Sequence, residues 1–120
     1  MLAGSATALA RLLRAQRYRF ADERGLQDGL ARVLEGAAIA FAREVRLGDA
    51  GTIDFLAGDV GIEVKIKGGL AEVTRQLFRY AERPELASVL LVTTRATHRR
   101  LPLALVGKPV VVCHLLEGGL

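Results

Sequence analysis

Gly51-Thr52-Ile53-Asp54-Phe55-Leu56 and, after a short break, Gly61-Ile62-Glu63-Val64-Lys65-Ile66 form the stretch on which the fold turns. Side chains alternate between faces along a strand. In the second segment Ile62, Val64 and Ile66 therefore share one face, and Glu63, Lys65 and Lys67 share the other. Residues 48–51 and 58–60 are compact enough to be hairpin turns, which predicts strands over 39–47, 52–57 and 61–67. Downstream, residues 70–83 read as a helix with Val73, Leu77, Phe78, Tyr80 and Ala81 on its inner side, stopped by Pro84. Residues 86–93 are a continuous apolar run, as in a strand buried on both faces. The helix before it is long enough to be a crossover, which allows parallel pairing. A short helix over 97–105, despite Pro102, and a strand over 109–115 complete this half.

Upstream, Asp22 is placed to cap a helix in which Leu26, Leu30, Val33 and Leu34 recur until Gly36, with Glu23 in its first turn. Before it, a basic helix is expected over residues 5–17, with Leu9, Leu12, Leu13 and Gln16 on one side and Arg11, Arg14 and Arg17 elsewhere. The order α-α-β-β-β-α-β-α-β belongs to the α/β class, with a central mixed sheet flanked by helices.

A chain of 120 residues suits one domain, 1–120, with its core at about 22–93. Aromatic residues are few and Trp is absent, so the core is aliphatic. The net charge of +4 arises from Arg rather than Lys, and the guanidinium fork suits phosphate oxygens, although composition alone explains it equally well. One cysteine excludes an internal disulfide, and with two separated histidines it makes no structural zinc site. Cys113 and His114 lie in an apolar run and read as structural, while His98-Arg99-Arg100 reads as a surface basic patch. No apolar run reaches the roughly 20 residues that span a bilayer. The apolar stretch at 3–13 carries its arginines after it, the reverse of a signal peptide, so a cytoplasmic location without membrane contact is expected.

Glu63 and Lys65 share a strand face, and a hairpin brings Asp54 toward them. Two converging carboxylates repel unless a cation lies between them. Mg²⁺ takes oxygen ligands and keeps waters of its own, and the Val64 carbonyl offers a further oxygen. Lys65 would stand beside a metal-activated water, able to orient it or to stabilise charge on a phosphate.

An Asp on one strand followed by Glu-x-Lys on the next resembles the PD-(D/E)XK nuclease superfamily, whose fold is restriction-endonuclease-like. Glu23 stands where that family has an acidic residue on an early helix, and Gln76 with Tyr80 fits its Gln-x-x-x-Tyr variant. Ile53 rather than Pro precedes Asp54, and Glu44 rivals Glu23 for the third acidic position. The resemblance implies Mg²⁺-dependent phosphodiester hydrolysis, with Mn²⁺ also serving. Glu23, Asp54, Glu63, Lys65 and Gln76 would be catalytic. Asp54, Glu63, Val64 and Glu23 would hold metal, and Lys67, Arg75, Arg79, Tyr80, Arg24 and Arg19 would contact DNA.

The small size is most like archaeal-type Holliday junction resolvases, homodimers acting on branched duplex DNA in recombination and repair. VRR-NUC-like and RecB-like nicking or single-strand nucleases are the alternatives, as is a non-catalytic DNA-binding module of the same fold. The plain reading of Asp54, Glu63 and Lys65 is a cross-strand ion pair on a solvated face. Glu23 could merely complement a helix dipole, and Gln76 and Tyr80 could be ordinary surface and core positions.

Overall fold

The computed structural model describes residues 5–115; the ends of the expected 1–120 domain and the first residues of the apolar stretch at 3–13 lie outside the described residues. Helix α1 spans Ala6–Arg14, with the Ser5 hydroxyl accepting from the Ala8 amide at its start. It is shorter than the expected 5–17: Ala6, Leu9, Ala10 and Leu13 are buried, whereas Gln16 lies past its end and is exposed. Helix α2 spans Glu23–Gly36 and is capped by the Asp22 carboxylate, which accepts from the Gly25 amide at 2.8 Å.

Helix α2 ends at Gly36 as expected, but Gly36 is not the residue that turns the chain away. The left-handed residue is Ala38, at φ 59°, and the Ile39 amide donates back to the Leu34 carbonyl while Ile39 packs on the core. This is the hydrogen-bonded helix ending usually built on glycine. It consumes residues 37–39, so strand β1 is Ala42–Arg46 rather than 39–47.

Strand β2 is Thr52–Ala57, as expected, and β3 is Val60–Lys65. Gly58 joins them at φ +61°, the sign that the first central position of a type II′ hairpin requires. Helix α3, Leu70–Ala81, then crosses over to β4, Ser88–Thr93, which pairs parallel with β3. Phe78, expected inside, is 44% exposed; Val73, Leu77, Tyr80 and Ala81 form the inner side.

The expected helix over 97–105 is absent. A short 3₁₀ turn, Ala96–Arg100, leads instead to a two-residue strand β5, Ala104–Leu105, and β6 is Lys108–His114. Val106 and Gly107 both have positive φ, which lets them turn the β5–β6 hairpin. Pro102 lacks an amide to continue a helix.

The described residues form a six-stranded mixed sheet in the order β1-β2-β3-β4-β6-β5, with β1–β2, β2–β3 and β5–β6 antiparallel and β3–β4 and β4–β6 parallel. Helices α1 and α2 cover one face through Leu9, Leu13, Leu26, Leu30 and Leu34, packed on Phe55, Ile62, Val64, Leu90 and Val92. Helix α3 covers the other through Val73, Leu77 and Tyr80, packed near Ile53, Val89 and Leu91. Each such aliphatic side chain contributes about 1.5–3 kcal/mol on full burial. Cys113 is buried among them, and burial raises its thiol above the usual value. Because Ile62 and Val64 enter the α1–α2 layer, Glu63 and Lys65 are turned toward α3. Among the described residues no helix is long and apolar enough to cross a membrane.

Candidate active site

The β2–β3 ladder begins at Ala57 and Val60, runs to Phe55 and Ile62, and stops. The next pair would set Asp54 opposite Glu63. At this point the sheet twists sharply: Ile53 packs in the α3 layer and Phe55, only two residues on, in the α1–α2 layer. On β1 the facing residue, Glu44, has φ 54° and is missing from an otherwise regular register.

Where the backbones part, side chains take up the pairing. Asp54 Oδ2 accepts from the Val64 amide at 2.8 Å, and Glu63 Oε1 accepts from the Asp54 amide at 3.2 Å. Asp54 and Glu63 thus lie against each other on the same side of the sheet.

Lys65 Nζ stands 3.6 Å from Glu63 Oε2 and is the one ammonium group paired with it among the described residues. It does not offset the cost of the site. Burial, and then the Asp54 charge, push the Glu63 carboxyl up to about 8 from 4.5. Asp54 is raised as well, by burial first and by Glu23, against the Val64 amide and Lys65, which lower it. Both carboxyls are therefore raised, chiefly by burial, and the pair holds a proton more readily than two free acids would.

Glu23 reaches the same place from the start of α2, its Oε1 accepting from the Ile66 amide at 3.4 Å just past the end of β3. Glu44 does not: it is held outside by an exposed ion pair to Arg24 at 2.7 Å. Of the two rivals, Glu23 is the one near enough for its charge to raise both the Asp54 and the Glu63 carboxyls, without converging on them. Arg24, expected at DNA, is engaged by that pair, and Arg19 lies in a separate groove between the segment after α1 and α2.

Between Glu23, the end of β3 and α3 opens a cleft of about 400 Å³, walled by Lys65 and Gln76 and rimmed by Lys67, Arg75 and Arg79. Asp54 and Glu63 do not line it; Lys65 lies between Glu63 and the opening. Gln76 Nε2 donates to the Tyr80 hydroxyl at 3.1 Å, and that hydroxyl donates to the Thr52 carbonyl at 2.9 Å. Tyr80 is 1% exposed, so it cannot meet a DNA strand as expected; it ties α3 to β2 and orients Gln76. Burial and the Glu63 charge push its hydroxyl up to about 12, which keeps it a donor.

Among the described residues no group of three or more His, Cys, Asp or Glu side chains converges to hold a metal ion, so Glu23 does not join Asp54 and Glu63 in a ready-made trio. The two-carboxylate core nevertheless suits a hard cation that keeps most of its waters. Asp54 Oδ1 has no hydrogen-bond partner among the described residues. The Lys65 carbonyl is taken by the Thr94 amide on the β4 side, which turns the Val64 carbonyl toward β2, where the ladder has ended. A buried Glu63 carboxyl, a part-buried Asp54 carboxyl and the Val64 carbonyl thus lie along the same opening between β2 and β3.

Thr93 carries no expected role, and His98, expected in a basic patch at a loop or helix end, is instead internal. His98 is fully buried; its Nε2 donates to the Gly68 carbonyl at 2.8 Å, and its Nδ1 lies 2.7 Å from the Thr93 hydroxyl. That hydroxyl also accepts from the Arg95 amide at 2.9 Å. The network fastens the loop carrying Lys67 and Gly68 to the end of β4, where Thr93 stands beside Lys65 in register. A polar residue closing the strand after the apolar run Val89–Val92 was the available signal. Comparison with models of known families, with curated proteins and with solved structures returns no match, which leaves the side-chain geometry as the ground for a functional reading.

Proposed function

We propose that this chain is a divalent-cation-dependent DNA endonuclease of the PD-(D/E)XK kind, with a restriction-endonuclease-like fold. The observation that carries the reading is the abutment of Asp54 and Glu63 at the point where β2 and β3 part, with Lys65 alongside. An ion pair on a solvated face would not bury Glu63 or set a second, part-buried carboxylate beside it with Lys65 alongside. The helix–three strands–helix–strand order of residues 23–93 and the position of Glu23 support the same reading.

Asp54, Glu63 and the Val64 carbonyl would hold Mg²⁺ or Mn²⁺, with Glu23 acting through a water. When bound, such an ion supplies positive charge to a phosphate and lowers the pKa of water. Lys65, at the mouth of the cleft, stabilises the charge that builds on a phosphate oxygen as the ester breaks. Lys67, Arg75 and Arg79 on the rim grip the neighbouring phosphates of the same strand. Gln76, fixed by Tyr80, presents its amide to the cleft as a positioning group.

Selectivity for branched DNA of the Holliday junction type, action as a homodimer and a cytoplasmic location belong to the proposal as well. The test incubates the protein with four-way junction, flap, nicked, duplex and single-stranded DNA, in Mg²⁺ or EDTA, beside Asp54→Asn and Lys65→Ala. The expected result is cutting of branched DNA in Mg²⁺ only, lost in both variants while binding persists. Cutting that survives EDTA overturns the reading, and binding without cutting turns it into a non-catalytic module.

A further inference from the structure

We infer that the groove between the α1 exit and α2 is a second anchoring site, which grips the sugar-phosphate backbone of duplex DNA beyond the segment held in the cleft. The inference rests on DNA being the substrate and not on its being cut.

The groove is built by alternation. Burial alternates along residues 17–20: Tyr18 and Phe20 pack on the core while Arg17 and Arg19 are exposed. Tyr18 is fixed by its hydroxyl, which donates to the Leu13 carbonyl at 2.6 Å. The segment lies close on α2 because Gly25 and Gly29, one turn apart, have no side chains. A Cβ on Gly29 would come within 3.0 Å of the Tyr18 ring, and one on Gly25 within 3.3 Å of Phe20 Cβ. Arg32 faces the segment from α2, and the resulting groove encloses about 540 Å³.

Its charge is one-sided. Arg17, Arg19 and Arg32 line it, and no carboxylate does. Elsewhere the guanidinium groups of Arg24, Arg43 and Arg83 have carboxylate partners, whereas none of these three forms an ion pair among the described residues. Three such groups around one concavity repel one another until an anion enters. Arg is the side chain suited to phosphate oxygens, and the aromatic ring in the lining, Tyr18, is buried and cannot stack on a base. The groove thus reads backbone and not sequence.

Its location fits a duplex. Glu23, at the cleft, opens α2, and Gly29 and Gly36 on the same helix border the groove. At 1.5 Å per residue these lie about 9 and 20 Å from Glu23 along the helix. Half a turn of B-DNA advances about 17 Å, so one duplex arm can offer phosphates to both places.

The test measures binding of a fluorescent duplex and a four-way junction in EDTA between 50 and 200 mM salt. It compares the wild type with an Arg17→Gln, Arg19→Gln, Arg32→Gln triple variant and with Arg99→Gln, Arg100→Gln as a surface control. Loss of three phosphate contacts should weaken binding at least tenfold and lower the slope of log K against log salt by about 2–3. The control should keep the wild-type slope. A triple variant with unchanged affinity and slope overturns the inference, as does wild-type binding to anionic phospholipid vesicles that outcompetes DNA. Asp54→Asn, assayed in parallel, separates the two claims. Cutting by that variant defeats the catalytic reading and leaves the groove standing, whereas wild-type binding by the triple variant defeats the groove and leaves catalysis standing.

Discussion

Asp54 and Glu63 complete the pairing of two strands that their own backbones no longer pair: each carboxylate accepts an amide hydrogen where the β2–β3 ladder has ended. The two residues therefore have a structural duty and a chemical one, and substitutions separate them. Asp54→Asn keeps an oxygen for the Val64 amide and removes a charge that burial disfavours. It should melt at or above the wild-type temperature without metal, while nuclease activity falls about 100-fold or more. Asp54→Ala strands the Val64 amide and should lose about 1–3 kcal/mol by urea unfolding. If both variants unfold alike, the carboxylate does not hold the strands.

The raised Glu63 carboxyl gives the metal-free protein a pH dependence opposite to that of an ordinary salt-bridged acid. In the folded chain it keeps its proton up to about 8, whereas the unfolded chain releases it near 4.5. Between these values the folded state binds more protons, so stability falls as pH rises. The contribution is complete below about 4.5 and gone above about 8. Asp54, raised in the same direction, adds to it. Thermal melts in EDTA from pH 5 to 9 should fall more steeply for the wild type than for Glu63→Gln. Parallel curves would mean that Glu63 is ionised throughout.

A divalent cation competes with that proton. Mg²⁺ or Mn²⁺ should raise the melting temperature, more at pH 8.5 than at pH 6, and EDTA should reverse the effect. The gain should vanish in the Asp54→Asn, Glu63→Gln double variant. A stabilisation of equal size in that variant places the ion elsewhere on the protein.

How much of this was legible in the chain depends on whether a feature is periodic. Alternation along 61–66 placed Glu63 and Lys65 on one face, and the apolar run at 86–93 announced a buried parallel strand, because burial follows directly from side-chain period. The twist at Asp54 left no such trace: it rests on Glu44 adopting φ 54°, a conformation that no glycine marks. The β5–β6 hairpin was hidden for the same reason, since Val106 occupies a positive-φ position usually held by Asn or Gly. Ala38 conceals the end of α2 likewise. Tyr80 was placed on the right helix with the wrong partner, because spacing locates a residue on a helical face and does not say whether its hydroxyl meets a ligand or a carbonyl.

Tyr80→Phe tests that partner. The substitution keeps the buried ring and deletes a hydroxyl that accepts from Gln76 and donates to the Thr52 carbonyl. Stability should fall by about 1–2 kcal/mol. DNA affinity should stay within about twofold, since no contact to a strand is lost, while kcat falls as Gln76 loses its orientation. A drop in affinity with kcat unchanged would return Tyr80 to the DNA surface.

His98 provides the last test, because it lies outside the cleft and yet holds one of its walls. Replacing it with Ala removes the donor to the Gly68 carbonyl and the partner of the Thr93 hydroxyl, and opens a cavity in a fully buried position. The cost should be about 2–4 kcal/mol in urea unfolding. The loop bearing Lys67 and Gly68 then loses its tie to β4, so amide exchange over 66–70 should speed up before that of β3 itself. KM for DNA should rise with kcat little changed, because Lys67 grips a neighbouring phosphate while the hydrogen bonds of His98 go to Thr93 and Gly68 and not to Asp54, Glu63 or Lys65. Unaltered exchange at 66–70 would show that α3, and not the buried imidazole, fixes that wall.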